Sequence, residues 1–170
     1  MKKVTFITSE ELRPLVTRVF GEEVLRIAKL VPTAEVSHVG ATSIPGSLTS
    51  GDLDISINVS QKEFPLTVQA LQKLYHQNHP EMWTDEFALF HKKDHPLIPI
   101  SIIVSVKGSR FDEHVQQRDL LRNNRELLEE YNSLKRSFEG KTLEEYSAAK
   151  REMFGPNGDS AFLKKYKSLL

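Results

Sequence analysis

The chain has 170 residues, enough for one domain with a sizeable core, and its 39% apolar and 27% charged content is that of a soluble globular protein, not a disordered or fibrous one. Its 23 basic and 23 acidic residues cancel, so there is no strong nucleic-acid or membrane-surface signal, and only a local basic patch stays open. It has no cysteine, which excludes disulfides, zinc–thiolate centres and cysteine nucleophiles; it also lacks a bilayer-length apolar run and a secretory signal, so we expect a cytoplasmic protein.

Residues 3–8 include Val4, Thr5, Phe6, Ile7 and Thr8, all β-branched or aromatic, and read as a short strand. Ser9, Glu10 and Glu11 start a helix whose apolar residues, from Leu12 through Val16, Val19 and Ile27 to Leu30, recur at helical spacing until Pro32. Pro14 in its first turns predicts an irregular start. A strand over 36–39 then breaks into a loop rich in Gly, Ser, Thr and Pro, and the chain re-enters a strand over 53–59. There Leu53, Ile55, Ile57 and Val59 point one way, towards a core, while Asp52, Asp54, Ser56 and Asn58 point the other. Phe64-Pro65 opens a second helix through about Gln77, with His76, Asn78, His79 and Pro80 at its exit. Residues 87–91 and 97–106 read as a hairpin joined through Lys92, Lys93, Asp94 and His95, and Pro99 suggests an edge position or a bulge.

From Phe111 the pattern turns helical. Leu120, Leu121, Leu127, Leu128, Tyr131, Leu134 and Phe138 form one stripe on a helix that Gly140 stops. The next helix, 142–154, opens with a capping box of Thr142 and Glu145; a turn at 155–158 and a terminal helix over 160–169 follow. The organisation expected is one α/β domain, with a mixed half at 1–108 and a helical half at 109–170.

Asp52 and Asp54 share a strand face and repel each other, so a bound cation or a basic neighbour would favour holding both there. The small-residue loop before them can turn backbone N–H groups towards an anion, which makes loop and carboxylates together a site for a metal-bound phosphate. The competing reading is a solvated strand face after a turn whose Gly and Pro serve only backbone geometry. His38 reads as structural, and His76, His79, His91 and His95 lack metal-ligand spacing. Arg118, Arg122 and Arg125 stack at i, i+4 and i+7, either as a phosphate clamp or as a solvated face paired with Asp119, Glu126 and Glu129, the second reading suiting Arg125 better. Tyr146 and Lys150 lie one helical turn apart and can reach one ligand.

The string HVGATSIPG at 38–46 resembles the opening motif of the GrpB family, and QRDLLRNNRELLEEYNSLKRSFE, YSAAKREMF and AFLKKYK are similar to that family's C-terminal half. The family resembles the nucleotidyltransferase superfamily, which implies an α/β fold of a small mixed sheet flanked by helices. The resemblance further implies a pocket for a Mg²⁺-nucleotide. Gly40, Thr42 and Ser43 would hold phosphate, while Asp52 and Asp54 would be the metal ligands and catalytic carboxylates. Arg118 and Arg122 match the family's Arg-Asp-x-x-Arg pattern, and Lys135, Tyr146 and Lys150 fall at family-like positions, all as phosphate or nucleotide contacts. Mg²⁺ suits such hard oxygen donors. The expected partner is a nucleotide or another phosphorylated small molecule.

Two departures stand out. Ala41 replaces the usual Ser, and the strand over 97–106, which would supply a third carboxylate, offers only Pro99, Ser101, Ile103 and Ser105 on its non-core face. PISI stands there in place of an HLHV-like string, and Asp85, Glu86 or Asp94 would have to fold inward instead. Two functions fit. One is Mg²⁺-dependent transfer of a nucleotidyl or related phosphoryl group to an unknown acceptor. The other is a non-catalytic nucleotide- or partner-binding module, which the family's occasional fusion to a dephospho-coenzyme A kinase domain would link to coenzyme A metabolism. The chain itself has no P-loop GxxxxGK[ST].

Overall fold

The computed structural model describes residues 2–170. Its elements in chain order are β1 (Ile7–Thr8), α1 (Ser9–Leu30), β2 (Glu35–Val39), β3 (Leu48–Thr49), β4 (Leu53–Val59), α2 (Phe64–Leu71), β5 (His76–Asn78), β6 (Phe87–Lys92), β7 (Ile100–Val106), α3 (His114–Asn123), α4 (Arg125–Ser137), α5 (Leu143–Phe154) and α6 (Ala161–Lys165). Five strands form one sheet in the order β2-β4-β7-β6-β5, with β4 and β7 parallel and the other pairs antiparallel; β1 and β3 form a separate two-stranded ribbon. This small mixed sheet, flanked by helices and followed by a helical C-terminal part, is the α/β arrangement the resemblance implied.

Several boundaries differ from the sequence reading, each for a local reason. Only Ile7 and Thr8 of residues 3–8 form the strand, because Val4 instead bonds the 140–141 turn, donating to Lys141 O and accepting from Gly140 N at 2.9 Å each. Thr8, not Ser9, caps α1: its side chain accepts from Glu11 N, while the Glu11 carboxylate accepts from Thr8 N. Pro14 sits within an unbroken helix, so the start is regular. Helix α2 stops at Leu71; Gln77, its expected end, and His76 and Asn78, expected at its exit, pair instead with Phe90, His91 and Leu89 as the outer strand β5, while His79 and Pro80 lead into a 3₁₀ turn. Strand β7 lies inside the sheet, not at its edge; Pro99 precedes it, and its carbonyl accepts from Leu53 N at 2.9 Å. The single long helix breaks at Asn124, which is extended (φ −131°, ψ 94°), and Arg125 therefore begins a new helix, apart from the Arg118–Arg122 face.

The sheet has two unlike faces. On one, Leu53, Ile55, Ile57 and Val59 of β4 and Ile100, Ile102, Val104 and Val106 of β7 pack with Val16, Val19 and Ile27 of α1 and Phe64 and Leu71 of α2. Glu23 is buried among these helices, where Tyr75 Oη donates to it at 2.5 Å and Arg26 at 2.8 Å, with Lys92 3.7 Å away. Leu25 of α1, though apolar, is 67% exposed. The other face carries Asp54, Ser56 and Asn58 and meets the helical half, whose own cluster joins Ile44, Leu120, Leu121, Leu127, Tyr131 and Phe162. No helix among the described residues is long and apolar enough to cross a membrane.

Candidate functional site

Gly40 ends β2 with φ at +71°, and a Cβ there would stand 2.1 Å from Asp54 Oδ2. Only glycine lets the loop backbone lie against this carboxylate. Residues Ala41–Ser43 then form a single 3₁₀ turn. The rest of the loop is held from both sides. Helix α1 contributes Ser9, whose hydroxyl donates to Ile44 O at 2.8 Å, and Glu10, which accepts from Gly46 N at 2.6 Å. Helix α4 contributes Asn132, bonded to both Leu48 N and Gly46 O, and Lys135, whose ammonium donates to Ser47 Oγ at 2.9 Å and Leu48 O at 2.5 Å. Helix α3 contributes Arg118, donating to His38 O at 3.0 Å, and Arg122, whose Nε and Nη2 both donate to Ser43 O.

These bonds fix proton positions. Thr42 donates its hydroxyl proton to Asp52 O at 3.1 Å, so His38 Nε2, 2.9 Å away, must be the donor to Thr42 Oγ1. His38 is neutral, because burial and then the Arg122 and Arg118 charges push it down to about 4. Ser43 donates to Gly40 O at 2.6 Å. Both hydroxyls are thus engaged within the loop, and each would exchange an internal bond to reach a phosphate.

A cavity of about 350 Å³ opens over the polar sheet face, between α3 and α5. Gly40, Ala41, Asp54, Arg118 and Lys150 line it. Burial pushes Asp54 up to about 7, with the Asp52 charge raising it further and the Lys150 ammonium pulling it back. Asp52 is raised too, chiefly by burial, with Lys150 and Lys2 opposing. The structure therefore brings together Asp54, Gly40, Arg118 and Lys150, with Asp52 beside them. It places Thr42 and Ser43 within the loop, Arg122 on the Ser43 carbonyl and Lys135, 0% exposed, beneath the loop. The Lys135 ammonium lies 3.5 Å from the Tyr131 ring centroid, and burial pushes its pKa down to about 7. Tyr146 is buried behind Tyr131, with the two hydroxyls 3.4 Å apart.

The register explains what a third acid would have needed. Asp54 is paired with Ser101 on β7, and Ser101 with His91 on β6; the next row is Ser56, Ile103 and Leu89. Ile103 and Leu89 line the cavity, so its sheet floor beside Asp54 is apolar. Asp85 and Asp94 are exposed, and neither they nor Glu86 lines the cavity. Among the described residues no group of three or more His, Cys, Asp or Glu is placed to hold a metal. Asp52 and Asp54 are the hard oxygen donors here that could hold a Mg²⁺, an ion that would keep several waters and take phosphate oxygens as further ligands.

The helical half adds wall residues that the sequence reading did not select as ligand contacts: Glu113, His114, Tyr131, Arg151 and Phe154. Burial holds His114 down to about 4, so its imidazole is neutral, and the same cause raises Glu113. No spacing rule links these residues to the loop, because the link is made by α3 and α5 crossing the sheet.

Comparison with known proteins agrees with this architecture. A family model described as GrpB protein matches residues 7–156. A UPF0157 protein of Vibrio cholerae serotype O1 is 32% identical over 146 residues, covering 85% of this chain and 77% of its own. The crystal structure of the conserved protein GrpB from Enterococcus faecalis superposes with a TM-score of 0.68 at 19% identity, over 91% of this chain and 96% of that one. A structure of Cid1 in complex with the UTP analogue UMPNPP gives a TM-score of 0.42 at 11% identity, over 69% of this chain and 42% of that one, too distant a likeness to carry function.

Proposed function

The chain belongs to the GrpB family, and from that premise we propose that its cavity binds a Mg²⁺-nucleotide or a similar phosphorylated small molecule, with Asp52 and Asp54 as the ligands of one cation. The observation that carries this reading is the buried Asp54 carboxylate, pushed up to about 7, in a cavity that also holds Lys150 and Arg118. Two acids that burial disfavours as anions gain most from a cation, and the neighbouring basic side chains suit phosphate oxygens. When bound, Mg²⁺ would polarise and orient a phosphate. Gly40 keeps the loop backbone against Asp54, Arg118 and Lys150 balance phosphate charge, and the apolar floor excludes water.

Binding without turnover is the form the geometry favours, because Ile103 and Leu89 occupy the floor where another carboxylate would hold a second ion. Transfer of a nucleotidyl group to an acceptor is the second reading, favoured by the retained Asp52–Asp54 pair facing basic residues. Thermal melting with each of four ribonucleoside triphosphates, with and without Mg²⁺, tests the first. A ligand that binds the folded state raises the melting temperature, and the rise should need Mg²⁺ and vanish in the double variant Asp52→Asn, Asp54→Asn. No shift with any triphosphate would refute nucleotide binding. Released pyrophosphate in the same mixtures would instead establish transfer.

A further inference from the structure

We propose that the inner end of the cavity reads the nucleobase, with Glu113 accepting a hydrogen bond from an exocyclic amine, so that an amino-bearing base is preferred over one presenting only carbonyls. This rests on the nucleotide reading above. Glu113 immediately precedes α3, lines the cavity beside His114 and Asn157, and is 5% exposed. Its Oε1 accepts from Gly158 N at 3.1 Å, while Oε2 is buried with no hydrogen-bond partner. An ionised carboxylate can only accept, so Oε2 calls for an N–H or O–H donor; the Ser160 hydroxyl lies near enough to oppose the effect of burial on Glu113 but does not complete a hydrogen bond to Oε2. Gln117 of α3, which also lines the cavity, does not supply it: its Nε2 donates to Ser160 Oγ at 3.1 Å. Leaving a buried acceptor unpaired is unfavourable, and a ligand that pairs it gains what the free protein lacks.

The position suits a base and not a phosphate. Asp112, next to Glu113, accepts from Asn58 Nδ2 at 2.8 Å. Asn58 lies four residues along β4 from Asp54, roughly 13 Å at the rise of a strand. Glu113 and Asp54 thus line one cavity from points separated along β4 by about the reach of a nucleotide. Ile103, Leu89 and Phe154 line the same cavity and offer the apolar surface a planar ring covers. The cationic side chains Arg118 and Lys150 belong with the phosphate end.

Calorimetric titration of the intact protein in Mg²⁺ buffer tests this with matched pairs: ATP against inosine triphosphate, GTP against inosine triphosphate, and CTP against UTP. Each pair exchanges or removes one amine. In at least one pair the amino-bearing nucleotide should bind about tenfold tighter, and in Glu113→Gln that ratio should fall below about threefold, since an amide both donates and accepts. Equal binding within every pair, preference for the carbonyl-bearing member, or a ratio unchanged by Glu113→Gln would overturn the proposal and leave nucleotide binding standing. Failure of all five nucleotides to bind would overturn both. Should Glu113→Gln fail to fold, the matched pairs on the unaltered protein decide alone.

Discussion

The two faces of β4 are both buried, but by different means. Towards α1 and α2, Leu53, Ile55, Ile57 and Val59 are each 0% exposed and pair with the apolar Ile100, Ile102, Val104 and Val106 of β7. Towards the helical half, Ser56 and Asn58 are buried by a chain of bonds: Ser56 donates to Asn58 Oδ1, and Asn58 Nδ2 donates to Ser105 Oγ at 2.9 Å and Asp112 Oδ1 at 2.8 Å. That chain stops at Asp54, where the cavity begins. A face closed by side-chain volume has no room for a ligand. A face closed by polar bonds can leave one acid unpaired, and there the site lies.

The apolar face should be the more costly to damage. Ile57→Ala removes three buried carbons at a position with no slack and should lose about 3–4 kcal/mol in denaturant unfolding. Whatever fraction remains folded should bind the same Mg²⁺-nucleotide with unchanged affinity, since no atom of Ile57 meets the polar face. A binding defect beyond the loss of folded protein would show that the two faces are not independent.

Asp54→Asn should do the reverse, stabilising the protein while removing Mg²⁺-dependent binding. Asp54 titrates near 7 when folded against 3.8 when free, so between those values the folded chain keeps a proton that the unfolded chain has released. Its contribution to stability therefore falls as pH rises through that window, and the loss is complete above 7. In metal-free buffer at pH 8 the variant should exceed the parent by about 2–4 kcal/mol, and the gap should close near pH 4. His38 and His114, each held down to about 4, push the parent's own profile the other way below pH 6.5. The difference between variant and parent cancels them. A gap independent of pH would mean that Asp54 is not desolvated.

The two faces were not equally legible in the sequence. Strict alternation over 53–59 defined the apolar face, because period two maps directly onto a strand. The Thr142–Glu145 capping box likewise placed α5 from four residues. The cavity's far wall was not legible: Glu113, His114 and Phe154 join Asp54 only through the way two helices cross the sheet. Glu23 reads as a polar position on α1, yet lies in the core because Tyr75, just before β5, and Lys92, at the end of β6, arrive from distant parts of the chain. The break at Asn124 was hidden because the apolar stripe continues on both sides of it. Asp52 and Asp54 stood out by local spacing, whereas the apolar floor beside them depends on pairing Ser56 with Ile103 across the sheet.

Gly40→Ala tests the junction between loop and polar face. The added methyl meets Asp54 Oδ2 at 2.1 Å and sits at a positive φ, so either the loop or the carboxylate must move. About 2 kcal/mol of stability should be lost, and Mg²⁺-dependent binding should weaken more than tenfold. Loss of stability with intact binding would mean that the loop shifts without carrying Asp54.

The smallest effect separates two uses of the same cation. Arg122 directs two N–H groups at Ser43 O, which leaves it a brace for the loop more than a clamp for a ligand. A brace acts before any ligand arrives, so Arg122→Met should lose about 1 kcal/mol of stability and weaken nucleotide binding less than about threefold. A clamp acts only in the complex: the variant would then melt like the parent and bind more than tenfold more weakly. Arg118, which lines the cavity, is the internal control, because Arg118→Met should show the larger loss of affinity of the two. If the order were reversed, the phosphate would lie on the loop side of α3, and the polar face would reach further under the loop than the cavity does now.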